Sequence, residues 1–91
     1  MKVNPGCVVY STAGREKGGY FVVIACCGED YLLIADGRRR KVESPKKKKK
    51  KHLRILNKEL CMVSEALQSG QALTNKLLRK ELKAFVAATI T

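Results

Sequence analysis

The longest apolar run of this chain, Tyr20–Cys27, sets the narrowest limits on its fold. The run is eight residues long, whereas a helix needs roughly 20 apolar residues to cross a bilayer. Glycines bound it on both sides, and β-branched and aromatic residues fill it, which is typical of a buried strand. A chain of 91 residues also has a thin core, since it buries only ~60–65% of its unfolded surface. We therefore expect a domain built from short strands.

Other short extended segments surround this run within residues 1–57. A polar, glycine-rich connection precedes it, the turn 28–30 follows it, and Asp36-Gly37 is a strong hairpin signal. The predicted strands cover residues 6–11, 20–27, 31–35, 38–43 and 52–56. Five strands this short favour a strongly bent sheet or small barrel, because closure hides the sheet edges.

The remaining residues, 58–91, are rich in Leu, Ala, Lys and Glu and predict two helices. Asn57 is expected to cap the first helix and Gly70 to end it, and Thr74 is expected to cap the second. The second helix carries one apolar stripe (Leu78, Leu82, Phe85, Val86) and one basic stripe (Lys76, Arg79, Lys80, Lys83). The sequence thus predicts a mainly β fold with C-terminal helices: a barrel over 1–57, with a basic loop at 44–51, and a two-helix extension over 58–91.

Charge is the strongest pointer to function. The chain has 19 Lys and Arg against 8 Asp and Glu, a net charge of +11, and this excess favours polyanionic partners. Six consecutive lysines repel one another, so we expect an extended segment that condenses onto phosphate; a solubilising loop and a nuclear-localisation-like signal are the alternatives. The candidate RNA-binding residues are Arg15, Lys17, Arg38, Arg39, Arg40, Lys41, Lys46, Lys47, Lys48, Lys49, Lys50, Lys51 and Arg54.

The N-terminal part resembles the KOW motif. The residues that carry the resemblance are Gly6-x-Val8-Val9, Gly14-Arg15-x-Lys17-Gly18, Phe21-Val22-Val23-Ile24, Ala35-Asp36-Gly37 and Arg40-Lys41-Val42-Glu43-Ser44-Pro45-Lys46. This pattern, over residues 4–57, is similar to short bacterial KOW-domain RNA-binding proteins and, more distantly, to the KOW-containing large-subunit ribosomal protein of archaea and eukaryotes. The resemblance implies an SH3-like barrel and RNA as the partner. The helical tail lies outside it.

Catalysis finds little support in the residues. The only histidine is His52, and Tyr20 stands where the lysine of a phosphate-binding loop would be. The four cysteines lack zinc-knuckle spacing, and residues 1–6 lack a secretory signal. We therefore expect reduced thiols, a cytoplasmic location, no metal and no cofactor. The apolar surroundings of Cys26 and Cys27 suggest that at least one of the two is buried.

The sequence favours a non-enzymatic protein that binds structured RNA, in particular ribosomal RNA of the large subunit, with the helices as a surface for contacts with ribosomal proteins. Scarce aromatic residues argue for recognition of phosphate and shape rather than of single strands. The main alternative is a KOW adaptor of the transcription or translation apparatus that binds mainly a protein. A cysteine-based redox sensor is a third reading.

Overall fold

A computed structural model describes residues 3–90 and confirms a mainly β fold with C-terminal helices. Five strands form one antiparallel sheet in the order β4-β3-β2-β1-β5. A 3₁₀ turn, Lys50–His52, joins β4 to β5. The elements are β1 Cys7–Ser11, β2 Tyr20–Cys27, β3 Tyr31–Ala35, β4 Lys46–Lys49, β5 Leu53–Glu59, α1 Cys61–Gln68 and α2 Asn75–Ile90.

The sheet is strongly curled, although it does not close by hydrogen bonds. Its edge strands β4 and β5 are consecutive in sequence, and the 3₁₀ turn between them has three residues. Five flat strands would place these edges about 19 Å apart, whereas three 3₁₀ residues rise only about 6 Å. Bulges at Val23/Ala25 and Cys7/Val9 add to the bend. The arrangement has the curvature expected of a small barrel.

The central strand β2 and its neighbour β1 are buried on both faces, which explains why the run in β2 is apolar without alternation. On the inner face, Val9, Phe21 and Val23 pack with residues of β3 and β5. On the outer face, Val8 and Val22 pack against Leu78 and other residues of the helices. The two cores are therefore separate layers that share one sheet.

The helices belong to the same folded unit as the sheet. The strand β5 runs two residues past the expected boundary between residues 57 and 58 and ends at Glu59, which pairs with Cys7 of β1. Asn57 is accordingly not a helix cap; Leu60 occupies that position. Gly70, with φ +76°, follows the end of α1 as expected. The Thr74 hydroxyl accepts a hydrogen bond from the Leu77 amide at 3.1 Å, so the predicted cap of α2 is confirmed.

No helix within residues 3–90 is long and apolar enough to cross a membrane.

Candidate nucleic-acid interface

The loop between β1 and β2 is a hydrogen-bonded turn that directs the carboxylate of Glu16 toward the protein interior. Gly14 and Gly18 have φ of +77° and +88°, which is the left-handed backbone expected of them. The amides of Lys17 and Gly18 donate to the carbonyls of Gly14 and Ser11 at 3.2 and 2.9 Å. This backbone buries Glu16 and leaves its neighbours Arg15 and Lys17 exposed.

Glu16 is the centre of a buried ion-pair network. Its Oε2 accepts hydrogen bonds from Arg40 Nε at 3.1 Å and Nη2 at 2.6 Å. Its Oε1 accepts from Lys48 Nζ at 3.0 Å, and the same Nζ donates to the Ala13 carbonyl at 2.7 Å. The Glu16 and Lys48 side chains are only 5% and 8% exposed. One carboxylate thus connects three basic segments: residues 12–19, 36–41 and 46–51.

The Glu16 carboxylate is ionised at physiological pH. Hydrogen bonds from Arg40 and then Lys48, together with the two positive charges, lower the pKa of Glu16 from 4.5 to about 2, although burial opposes the shift. A single negative charge faces two positive ones, so the centre remains cationic. It therefore holds the three segments together without neutralising their charge.

The lysine run is a strand rather than the expected loop at 44–51. Residues Lys46–Lys49 form β4 and pair with β3, with Lys48 opposite Leu32 and Lys49 opposite Tyr31. Alternation along a strand turns Lys48 inward toward Glu16 and turns Lys47 and Lys49 outward. An inward-pointing lysine on an edge strand also discourages pairing with another chain.

The outward lysines of β4 flank one aromatic ring. Lys47 Nζ lies 4.9 Å and Lys49 Nζ 5.8 Å from the centroid of the Tyr31 ring. Tyr31, Asp30 and Lys49–Lys51 line a shallow depression of about 440 Å³. The depression is thus lined by three lysines and one tyrosine against the single acid Asp30, a predominantly cationic set that suits phosphate.

The predicted strand over residues 38–43 is also wrong, because these residues form a turn. Asp36 Oδ1 accepts hydrogen bonds from the amides of Arg38 and Arg40, both at 2.9 Å. The Arg39 guanidinium lies 5.7 Å from the centroid of the Phe21 ring. The turn therefore sends Arg40 inward to Glu16 and leaves Arg38, Arg39 and Lys41 exposed.

We define the cationic surface as the exposed Lys and Arg of the three segments that Glu16 connects. Its members are Arg15, Lys17, Arg38, Arg39, Lys41, Lys47, Lys49 and Lys51. Of the other predicted RNA-binding residues, Arg40 and Lys48 form ion pairs with Glu16. Lys46 and Lys50 are half-buried. Arg54 is exposed, but it lies on β5, outside the three segments. Lys48, buried against Glu16, is not available to a partner.

Sequence reasoning missed Glu16. One signal could have found it: Glu16 is the only acid in a glycine-rich basic loop, directly between Arg15 and Lys17. An isolated carboxylate among cations is a natural partner for an inward-facing cation elsewhere. The period-2 alternation of β4 would then have selected Lys48.

Of the four basic residues that form the stripe on α2, three are exposed and one makes a structural hydrogen bond. Lys76, Lys80 and Lys83 are exposed, whereas Arg79 is half-buried and donates from Nη1 to the Gly37 carbonyl at 2.8 Å. Asn75 holds the same turn, because its Oδ1 accepts from the Val42 amide at 2.8 Å. The helix therefore supports the turn that presents Arg38 and Arg39.

The cysteines are four free thiols. Neither Cys26 nor Cys27 is buried, contrary to expectation: Cys26 is exposed and Cys27 half-buried. The Cys7 thiol donates to the Leu56 carbonyl at 3.2 Å, and burial raises the pKa of Cys7, which makes it a poorer nucleophile. Within residues 3–90, no three His, Cys, Asp or Glu side chains are grouped to hold a metal ion.

No protein-family model matches the chain, and no curated protein matches it significantly. The resemblance to KOW proteins therefore remains an expectation from the motif residues.

Proposed function

We propose that this protein binds structured RNA, without catalysing a reaction, through the cationic surface. The observation that carries the proposal is the Glu16 network, in which one buried carboxylate gathers three basic segments at one part of the fold. If the charge served only solubility, the basic segments would not need to be held together by the ion pairs of Arg40 and Lys48 with Glu16. The network supports a function that depends on their relative positions.

Phosphate is the ligand chemistry that the surface fits best. Its eight members are Lys or Arg, and the connecting network itself keeps a positive charge. Arg38, Arg39 and Arg15 supply planar guanidinium groups that can clamp a phosphate with two hydrogen bonds. The lysines supply point charges that displace counterions from a nucleic acid.

Folded RNA fits this surface better than a flexible single strand. Single-strand binders stack successive bases on aromatic side chains, but Tyr31 is the one ring beside the outward lysines of β4, and their ammonium groups lie near it. Fixed cations at several positions match a compact RNA whose phosphates are also fixed. The KOW resemblance favours ribosomal RNA of the large subunit and a place in cytoplasmic translation.

The proposal is tested with a pair of charge-matched variants. The interface variant changes Lys47, Lys49 and Lys51 to Gln. The control variant changes Lys58, Lys76 and Lys80 to Gln, which removes the same charge from exposed residues outside the cationic surface. Fluorescence anisotropy at about 0.15 M salt measures the affinity of each for an RNA hairpin and for an unstructured RNA of equal length.

We expect the interface variant to lose more than about tenfold in hairpin affinity, since three phosphate contacts disappear. The control variant should lose less than about threefold, and the wild type should prefer the hairpin. Equal losses for both variants would mean that net charge alone drives binding, and the proposed interface would then be wrong.

A further inference from the structure

A second surface, which shares only Arg38 with the cationic surface, is a groove between α2 and the turn that follows β3. The groove has a volume of about 430 Å³, which is within the range of ordinary ligand sites. The apolar part of its lining consists of the Tyr20 ring and the side chains of Leu82, Val86 and Ala87. We call this surface the α2 groove.

The rim of the α2 groove is predominantly cationic. Arg38, Arg79 and Lys83 line it, against the single carboxylate of Asp36. Asp36 is already engaged, because its Oδ1 accepts hydrogen bonds from the amides of Arg38 and Arg40. An occupant is therefore expected to carry negative charges around an apolar centre.

The apolar wall is held in place by aromatic packing. The Tyr20 ring packs edge-on against Tyr10, with centroids 5.1 Å apart, and against Phe85 at 6.0 Å. Arg79 Nη1 donates a hydrogen bond to the Gly37 carbonyl, which fixes the turn to the helix. The groove is thus formed before any partner arrives, which reduces the entropy cost of binding.

The chemistry of the lining distinguishes a protein occupant from a nucleotide. A base packed on Leu82, Val86 and Ala87 would place its polar edge against an apolar wall, and unpaired polar groups are costly to bury. A Leu or aromatic side chain has no such groups, and flanking carboxylates would pair with the cationic rim. We propose that the α2 groove docks an acidic protein segment through one bulky apolar side chain.

A library of random dodecapeptides, selected on the immobilised full-length chain at about 0.15 M salt, tests this proposal. We expect enrichment of peptides in which an aromatic residue, Leu or Met is flanked by at least two Asp or Glu. In the amide NMR spectrum of the labelled chain, the most enriched peptide should shift residues 36–40 and 79–86. Failure to enrich such peptides would overturn the proposal.

Two charge-reversal variants locate the binding. Lys83→Glu changes the rim of the groove, whereas Lys80→Glu makes the same charge change on an exposed residue of α2 that does not line it. Lys83→Glu should weaken the selected peptide by about tenfold or more, and Lys80→Glu by less than about threefold. Val86→Ser probes the apolar wall and should also weaken the peptide about tenfold. Thermal melting of each variant confirms that it is folded.

A single-stranded tetranucleotide serves as the competitor. If the tetranucleotide shifts the same groove amides and displaces the peptide, the occupant is a nucleic acid and the proposal is wrong. If Lys80→Glu and Lys83→Glu weaken binding of the peptide equally, the peptide is held by net charge rather than by the groove, and the proposal is also wrong. The RNA-binding proposal stands or falls separately, because its variants lie on β4 and in the following turn.

Discussion

Replacing Glu16 by Gln tests whether the buried ion-pair network holds the basic segments together. The change leaves the Lys48 ammonium, 8% exposed, without its anionic partner, although the Ala13 carbonyl still accepts from it. Gln offers one accepting oxygen, and its amide N–H₂ would face the donors of Arg40 or Lys48. Breaking a buried pair in this way costs on the order of 2–4 kcal/mol.

That loss is large for a domain of this size. A chain of 91 residues has a folding stability of roughly 5–10 kcal/mol, so the variant should lose at least about a fifth of it. Since 1 kcal/mol corresponds to about 4–8 °C in such domains, the melting temperature should fall by roughly 10–30 °C. Urea unfolding followed by circular dichroism measures the free-energy difference directly.

The control is Glu29→Gln, the same chemical change at an exposed residue in the turn between β2 and β3. It should alter stability by less than about 0.5 kcal/mol. A second comparison is the double variant Glu16→Gln, Lys48→Met, which removes the buried charge together with its partner. It should be more stable than Glu16→Gln alone, since a neutral side chain needs no ionic partner.

The pH dependence of stability gives an independent check. The pKa of Glu16 is lowered in the folded protein from 4.5 to about 2. A lowered carboxyl pKa contributes stability above the unfolded value and loses it as pH falls through the folded value. The wild type should therefore lose roughly 3 kcal/mol from this group between pH 4.5 and pH 2, and Glu16→Gln should lack that component. Equal stability losses for Glu16→Gln and Glu29→Gln, or identical acid profiles for wild type and Glu16→Gln, would refute the reasoning.

Two further predictions concern a glycine pair and salt. Gly37→Ala should destabilise the fold by at least about 1 kcal/mol more than Gly28→Ala in urea unfolding: both residues have positive φ, but a Cβ at Gly37 would lie 2.7 Å from the Asn75 carbonyl oxygen, whereas Gly28 faces open space. Equal losses of unfolding free energy for the two variants would show that α2 does not pack closely against the turn at Gly37. Log affinity for the RNA hairpin should fall against log salt with a slope of roughly −4 to −7, as for about 6–8 phosphate contacts; anisotropy titrations that give a slope near zero would contradict the phosphate contacts.

The elements that sequence predicted correctly are those with local causes. The apolar run of β2, the glycines at positive φ and the hydroxyl cap at Thr74 are each specified by a few neighbouring residues. The helix Asn75–Ile90 follows from that cap and a regular apolar stripe. Such signals survive in the folded protein because tertiary contacts reinforce them.

The two errors in the strands arose where distant residues decide the outcome. A run of lysines looks incapable of forming a packed strand, but β3 presents an open edge and Glu16 accepts the inward Lys48. Residues 38–43 follow a hairpin signal, but the Asp36 carboxylate ties the amides of Arg38 and Arg40 into a turn, and Asn75 of α2 accepts a hydrogen bond from the Val42 amide. Glu16 lies far from Lys48 in sequence, and Asn75 lies far from Val42.

The start of α1 was displaced for a similar reason. Asn57 and Glu59 have the composition of a helix start, but pairing of Glu59 with Cys7 keeps both residues in β5. The helix begins only at Cys61, after the pairing of β5 with β1 has ended at Glu59. Tertiary pairing here outweighs local propensity.

Crosslinking in living cells, followed by sequencing of the bound RNA, tests the central proposal most directly. Wild type and the interface variant with Lys47, Lys49 and Lys51 changed to Gln are compared at equal expression, with reads normalised to RNA abundance. We predict that wild-type crosslinks concentrate at a few folded sites in ribosomal RNA of the large subunit and that the interface variant loses them. Crosslinks scattered in proportion to RNA abundance, or unchanged in the variant, would contradict specific binding of structured RNA by the cationic surface.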